Sequence, residues 1–229
     1  MFYNASPIYF LVIAAMVVSW IIQWRLRSKF QQYAQERLSS GLSGAEVAAK
    51  MLADHGIYDV RIISTEGQLT DHYNPTDKTV NLSEGVYAER SAAAAAIAAH
   101  ECGHAVQHAT AYSMLQFRSA LVPTLSAVSK WMPMILLVGF FTINRTPYPL
   151  GIGIALFSLT TLFSFITLPV EFDASRRALA WMDKRGVVTA QEHVMAKDAL
   201  WWAAMTYVVA ALSSLASLLY YVSIFMRRR

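Results

Sequence analysis

The amino-acid sequence predicts a mainly α-helical integral membrane protein with about four transmembrane helices and a small water-exposed α+β domain. Of the 229 residues, 55% are hydrophobic and 15% are charged, whereas a soluble globular protein carries about 25% charged residues. The apolar residues concentrate in four long segments, and a more polar stretch separates the first two. The single cysteine, Cys102, excludes an internal disulfide.

The first apolar segment, residues 8–24, is predicted to anchor the chain in a membrane. It has 17 residues without a charge, and Arg25, Arg27 and Lys29 follow it. A signal peptide carries its positive charges before the apolar core, so this order favours a permanent helix whose C-terminal end is cytoplasmic. The anchor is expected to occupy residues 1–28.

Residues 29–118 are predicted to form the water-exposed domain. Ser43 and Glu46 have the spacing of a capping box, which predicts a helix that ends near Gly56. Residues 58–63 are typical of a strand, and residues 70–82 contain two further extended pieces around a turn. Ser91 is positioned to cap a helix over the alanine-rich run that follows. The small sheet either only supports this helix or binds an extended peptide along its exposed edge.

Three more apolar segments follow this domain. Residues 121–143 are long enough to span, and Lys130 within them either snorkels to the interface, faces a polar cavity, or precedes a span that starts nearer Trp131. Residues 150–168 form an uninterrupted apolar stretch of 19 residues, and residues 203–225 form the last span. The expected organisation is two transmembrane helices in residues 119–170, a polar helical excursion in 171–200, and a terminal transmembrane helix in 201–229.

Within the alanine-rich run, residues 100–104 are His-Glu-Cys-Gly-His. Residues four apart share one face of a helix, so His100 and His104 can bind one metal ion while Glu101 stands beside it. This arrangement is typical of zinc hydrolases, in which the metal activates a water and the carboxylate acts as general base. A chance match is expected about 0.005 times in a shuffled chain of this composition. The pattern therefore predicts a site for one catalytic Zn²⁺.

A catalytic zinc site needs a third protein ligand and keeps one position open. His108 continues the same helical face, but it lies about 12 Å from His100 along a straight helix, too far to share one ion. Glu171, which follows the third apolar segment, is the best remaining candidate. The alternative interpretation is that Glu171 only stabilises the start of a new helix beside Pro169.

Three motifs resemble the YugP-like neutral zinc metallopeptidases of bacterial membranes. They are His-Glu-Cys-Gly-His-Ala-Val-Gln at 100–107, Leu-Pro-Val-Glu-Phe-Asp-Ala-Ser-Arg-Arg-Ala at 168–178, and Asp-His-Tyr-Asn-Pro at 71–75. The resemblance covers nearly the whole chain and implies a gluzincin-type membrane metallopeptidase, distantly related to the HtpX-like proteases. It implies zinc ligands at His100, His104 and Glu171, with Glu101 as catalytic base.

Two positions depart from the family pattern. Cys102 stands where a small aliphatic residue is expected, and a thiol so near the zinc is expected to compete for metal or to oxidise. Ser175 stands where HtpX-like proteins carry an aspartate, four residues after the third ligand. Asp173 is therefore suggested as the residue that orients a zinc-bound histidine.

These patterns predict a membrane-integral zinc endopeptidase that acts on a peptide or membrane-protein substrate, in the disposal of damaged membrane proteins. Two alternatives stay open: a zinc hydrolase of a non-peptide membrane substrate, and a non-catalytic membrane scaffold that retains zinc. The lipid bilayer is an expected partner and nucleic acid is not, because the basic residues form no face with interleaved aromatics. The oligomeric state is left open, as is the oxyanion donor, for which the candidates are His72, Tyr73, Arg176 and Arg177.

The expected location is the bacterial plasma membrane, with the active site on the cytoplasmic face. Four spans put 15 Lys and Arg residues on the side of the histidine motif and 4 on the other, which agrees with the positive-inside rule. The terminal arginines at 227–229 disagree with this orientation. The same topology brings residues 104 and 171 to one side of the membrane, as a shared metal site requires.

Overall fold

The computed structural model describes residues 7–227, and this part of the chain forms seven helices and three strands. In chain order they are α1 (Pro7–Ala34), α2 (Gly44–Asp54), β1 (Arg61–Thr65), β2 (His72–Asn74), β3 (Thr79–Ser83), α3 (Glu84–Ala88), α4 (Ala92–Ala109), α5 (Ser113–Thr142), α6 (Tyr148–Lys184) and α7 (Ala190–Arg227). The first six residues of the predicted anchor and the last two arginines of the predicted terminal helix lie outside the described residues.

The structure is mainly helical with one small sheet, and four of its helices are long and apolar enough to cross a membrane, as predicted. These are α1, α5, α6 and α7, whose apolar stretches have mean hydropathies between 1.5 and 1.9. Each exceeds the roughly 20 residues that a transmembrane helix requires. Large apolar side chains are exposed along α1 and α5, among them Phe10, Trp20, Trp131 and Phe141. Such exposure is expected of helices that face lipid.

The chain divides into two compact units. The first contains the chain up to Ile22, Phe117–Leu168, and the chain from Thr206 onward. The second contains Gln23–Gln116 and Pro169–Met205. The first unit therefore holds most of the apolar helical length, and the second holds the sheet together with the polar ends of the long helices.

Small residues allow close helix packing in the first unit. A Cβ added at Gly139 of α5 would lie 2.6 Å from the backbone of Leu150, at the start of α6. The hydroxyl groups of Thr161 on α6 and Ser214 on α7 are hydrogen-bonded at 2.7 Å. Both contacts are typical of helices that associate in apolar surroundings. Lys130 is exposed on α5, which does not support the interpretation that it faces a polar cavity.

The second unit is built from the sheet and the helices α2, α3 and α4. The strand order is β1-β3-β2, with β1 parallel and β2 antiparallel to the central strand β3. Every residue of β3 is buried. The hydrophobic core contains Val47 and Met51 of α2, Val80 and Leu82 of β3, and the alanines of α4. Alanine side chains are small, so neighbouring elements pack closely around α4, and the helix is buried along most of its length.

The predicted starts of α2 and α4 are confirmed. The Ser43 side chain accepts from the Glu46 N–H, and the Glu46 side chain accepts from the Ser43 N–H, which completes the capping box. Gly56 follows the end of α2 with a φ of +69°, a conformation that favours glycine. The Ser91 hydroxyl accepts from the Ala94 N–H at the start of α4.

The first strand begins three residues later and ends two residues later than predicted. It runs over Arg61–Thr65 rather than residues 58–63. The Ile57 N–H donates to the Leu52 carbonyl. The hydrogen bonds that cap the end of α2 therefore continue beyond its last helical residue. The strand then begins where Arg61 is paired with Thr79 of β3. Pairing with the parallel strand β3 therefore sets the start of β1, and the local sequence pattern does not show where that pairing begins.

The third apolar segment and the start of the polar excursion after it belong to one helix. Helix α6 is continuous from Tyr148 to Lys184 with Pro169 inside it, and α7 likewise begins at Ala190, well before residue 203. A proline removes one backbone hydrogen bond from a helix interior. Complete burial of Val170 and Ala174 directly after it offsets that loss, so the helix continues through Glu171.

Candidate metal centre

Helix α4 carries the predicted histidine pair on one face. His100 and His104 are four residues apart, and their ring centroids lie 4.8 Å from each other. The imidazole of His104 is buried and that of His100 is partly buried. The pairing follows from the helical period alone, since residues at i and i+4 lie one above the other.

Helix α6 brings Glu171 to the two histidines. Its Oε2 atom lies 3.3 Å from the Nε2 of His100 and 3.6 Å from the Nε2 of His104. One ligand atom from each of the three residues falls within 4.8 Å of the others. Glu171 is buried, with 2% of its surface exposed, and it lies 23 residues after the start of α6 at Tyr148. The alternative interpretation, a carboxylate that stabilises a helix start, is therefore wrong.

The three atoms form a donor set that fits zinc. Two imidazole nitrogens and a carboxylate oxygen are ordinary zinc ligands, with bonds of about 2.0–2.2 Å, which correspond to edges of roughly 3.4 Å in a tetrahedron. The observed separations of 3.3 and 3.6 Å lie on either side of that edge. Three protein donors leave one tetrahedral position for water or substrate.

Gln107 fixes the ring orientation of His104. Its amide nitrogen donates to the Val170 carbonyl at 2.8 Å and to Asp173 Oδ2 at 2.9 Å. Because the amide nitrogen is held by these two acceptors, the Oε1 atom faces the Nδ1 of His104 at 3.0 Å, and an amide oxygen only accepts. His104 therefore donates from Nδ1, and its Nε2 lies on the Glu171 side of the site, where either a proton or a metal ion can bind it.

Ser175 holds His100 in a comparable way. The Ser175 hydroxyl lies 3.1 Å from the Nδ1 of His100, so both rings are held through Nδ1 and present Nε2 to Glu171. Ser175 occupies the position where an aspartate was expected, and its hydroxyl makes the contact with the ring. Neither Gln107 nor Ser175 was identified from the sequence as a site residue. Their spacing, three residues after His104 and four after Glu171, is the signal that could have found them.

Asp173 is connected to the histidine pair through one intervening side chain, that of Gln107. It is 5% exposed and accepts from Gln107, through which it is connected to His104. It also forms ion pairs with Arg176 and Arg177. Two guanidinium groups thus share one carboxylate, and both arginines are held on the outer side of this network.

Glu101 is turned towards the edge strand β2. It is 8% exposed, and its Oε2 accepts a 2.9 Å hydrogen bond from the backbone N–H of Tyr73. The Tyr73 hydroxyl lies 2.8 Å from the Nδ1 of His108. Burial, reinforced by the charge of Asp59, raises the pKa of Tyr73 above its usual range, so the phenol stays neutral at physiological pH. The Tyr73 N–H is committed to Glu101, which removes it as a donor for strand addition along β2.

The electrostatics of His104 depend on Glu171. Burial by itself would lower the pKa of His104, but the hydrogen bond and the charge of the Glu171 carboxylate raise the pKa above its usual value. A cation that binds here competes with that proton, so its affinity falls as the pH falls.

Cys102 faces away from the histidine pair. It is fully buried, and its Sγ donates to the Ala48 carbonyl of α2 at 3.6 Å. Burial and the neighbouring Glu101 charge raise the pKa of the thiol far above its usual range, so no reactive thiolate forms. The expectation that Cys102 competes for the metal is wrong, because two helical positions rotate its side chain about 200° from His100.

Gly103 allows the two helices of the site to approach each other. A Cβ at this position would lie 2.6 Å from the carbonyl oxygen of Ala174 on α6. Even alanine would require α4 and α6 to separate, which would move Glu171 away from the histidines. Glycine within the motif thus serves the geometry of the candidate site.

The candidate oxyanion donors are spread around the centre. The Nδ1 atom of His72 lies 2.7 Å from the Thr70 carbonyl, and the Arg177 guanidinium stacks on the Tyr112 ring at 5.6 Å while it pairs with Asp173. Tyr73 is the candidate with a direct contact to Glu101.

The Gln107→Ala substitution is expected to weaken zinc binding by about 10–100-fold, the usual effect of losing a side chain that orients a ligand. The measurement is competition for zinc with a chelator of known affinity. Gln116→Ala, an exposed glutamine of α5, is the matched control. Because Gln107 is fully buried, thermal unfolding of the metal-free variant must be followed in parallel. Unchanged zinc affinity in a folded Gln107→Ala protein would contradict the role assigned to this side chain.

A helical histidine pair and a carboxylate from a second helix, on a chain with four apolar helices, define a membrane protein of the metal-dependent hydrolase class. A family model described as "Putative neutral zinc metallopeptidase" matches residues 8–226, and the chain belongs to this family. It is 42% identical over 222 residues to the protein of Bacillus subtilis (strain 168) named "Putative membrane protease YugP", which covers 96% of this chain and 97% of that protein. No solved structure matches the chain.

Proposed function

We propose that this protein is a membrane-integral zinc endopeptidase of the gluzincin type, in which Glu101 is the general base. The observation that carries the proposal is the convergence of His100 Nε2, His104 Nε2 and Glu171 Oε2 from two different helices. The membership of the chain in a zinc metallopeptidase family and the membrane protease name of its relative support the same reaction class.

In this proposal His100, His104 and Glu171 hold one zinc ion. When bound, zinc lowers the pKa of a coordinated water and polarises the scissile carbonyl. Gln107 keeps His104 in the tautomer that binding requires, and Gln107 and Ser175 together hold the two imidazoles in orientation.

Glu101 moves the protons. The Tyr73 N–H holds one carboxylate oxygen, Oε2, which leaves Oε1 to accept a proton from the attacking water. The same carboxyl group then delivers that proton to the amine nitrogen of the departing peptide. The proton taken from water thus ends on the amine product, and Glu101 returns to its ionised form.

The proposed location is the plasma membrane of a bacterium, with the site at the cytoplasmic face. Four candidate membrane helices support a multi-pass arrangement, and Arg25, Arg27 and Lys29 follow the first apolar segment as the positive-inside rule requires. A site built from the polar continuations of membrane helices favours peptide bonds at the membrane surface, and hence a role in membrane protein quality control.

The experiment compares metal content with cleavage. The full chain is purified in detergent, its zinc per chain is measured, and hydrolysis of an unfolded protein is followed before and after treatment with a chelator. One zinc per chain, loss of cleavage on chelation and recovery on adding zinc are the expected results. An inactive wild-type protein that carries one zinc per chain would replace the proposal by a zinc-retaining membrane scaffold. Cleavage that survives complete zinc removal would contradict the proposed mechanism.

A further inference from the structure

A cavity of about 410 Å³ lies between α6 and α7 in the second unit, outside the metal donor set. Its walls come from one face of each helix, since the lining residues recur at helical spacing. On α6 they include Phe172, Ser175 and Arg176, and on α7 they include Lys197 and Trp201. None of these residues belongs to the metal donor set or is the proposed base, although Ser175 contacts His100 and Arg176 is one of the candidate oxyanion donors.

The two ends of the cavity differ in chemistry. Phe172 and Trp201 form an aromatic end, with ring centroids 6.4 Å apart. Phe172 lies four residues after Leu168, where the third apolar segment ends, and Trp201 lies two residues before the last apolar segment, residues 203–225. This is the depth at which tryptophan and other aromatic rings meet lipid headgroups.

The other end of the cavity is cationic. Arg176 and Lys197 belong to its lining, and no described lining residue is acidic. Lys197 is exposed. No carboxylate among residues 7–227 lies within ion-pair distance of it. Arg176 and Arg177 both pair with Asp173. One carboxylate cannot neutralise two guanidinium groups, so a net positive charge remains. The Arg176 side chain is 77% exposed and is therefore accessible to a ligand.

We infer that this cavity binds an anionic phospholipid. Its phosphate would lie between Lys197 and Arg176, and its acyl chains would lie along Phe172 and Trp201. A free phosphate makes no use of the aromatic end, and a zwitterionic lipid leaves the cationic end without net negative charge. Basic pockets between membrane helices are recognised sites for anionic headgroups. Because Ser175 lines the cavity and contacts His100, the bound lipid would be one side chain away from the metal centre.

The test measures binding, so it does not depend on the proposed peptidase activity. The full chain in detergent micelles is titrated with dihexanoylphosphatidylglycerol below its micelle concentration, and occupancy is read by native mass spectrometry. Dihexanoylphosphatidylcholine is the zwitterionic comparison, and glycerol phosphate tests the headgroup without chains. Lys197→Gln is compared with Lys184→Gln, an exposed lysine of α6 outside the cavity.

The expected result is saturable binding of the phosphatidylglycerol, with weaker binding of both comparison ligands. Lys197→Gln should weaken it by about fivefold, the usual contribution of one basic residue near an anionic lipid surface, while Lys184→Gln should not. Arg176→Gln should act in the same direction. Equal binding of the two lipids, equal effects of the two lysine substitutions, or equal binding of glycerol phosphate would overturn the inference.

Discussion

Replacing Glu101 with glutamine is expected to leave the zinc content at the wild-type level and to reduce cleavage by about 10²–10⁴-fold, the usual contribution of general acid–base catalysis. Glutamine has nearly the same shape, and its side-chain oxygen can still accept from the Tyr73 N–H, which now bonds Glu101 at 2.9 Å. The amide cannot take a proton from water at neutral pH. The change therefore removes the proposed chemistry and keeps the local structure.

The matched control is Glu66→Gln, which makes the same chemical change at an exposed position and should leave cleavage unaltered. Zinc per chain is measured by elemental analysis on the same preparations as the cleavage rate. Full activity in Glu101→Gln would exclude this residue as the base. Loss of zinc together with activity would instead show that Glu101 supports the metal centre and would leave its catalytic role unproven.

The histidine pair could be predicted because its information is local. The spacing of His100 and His104 places them on one face of a helix whatever surrounds that helix, and Ser91 marks where the helix starts. The opposite orientation of Cys102 follows from the same geometry, although the sequence interpretation considered only its nearness in the chain. Helical periodicity thus determines both the pairing of the two histidines and the direction of the Cys102 side chain.

The part of the site that depends on residues far apart in the chain could be predicted only in part from the sequence. Glu171 could be proposed by exclusion, yet its position inside a continuous helix depends on the packing of α6 against α4 at Gly103 and Ala174. The same packing places Gln107 between Val170 and Asp173. The i, i+3 spacing could have placed Gln107 beside His104, but not beside Val170 and Asp173, which are more than 60 residues away in the chain. The boundary of β1 has a similar cause, since pairing with β3 determines it.

Replacing Glu171 with glutamine is expected to lower zinc affinity by more than about hundredfold, because the loss of outer partners alone costs 10–100-fold. The amide keeps the volume of this buried side chain but replaces a charged oxygen donor, 3.3 Å from His100 Nε2 and 3.6 Å from His104 Nε2, by a neutral one. Two imidazoles and an amide hold zinc poorly. Cleavage should fall to background at limiting zinc and recover in part when zinc is added in excess.

Glu192→Gln separates this effect from general damage to the fold. Glu192 is also a buried carboxylate, 6% exposed, but it accepts from the backbone N–H groups of Ser39 and Thr189 and does not belong to the donor set. Its substitution should lower the thermal unfolding temperature while one zinc per chain is retained. If Glu171→Gln kept wild-type zinc affinity, the third ligand would have to be sought among other carboxylates. A shared loss of zinc in both variants would point to unfolding, because a fold-dependent site releases its metal when the helices separate.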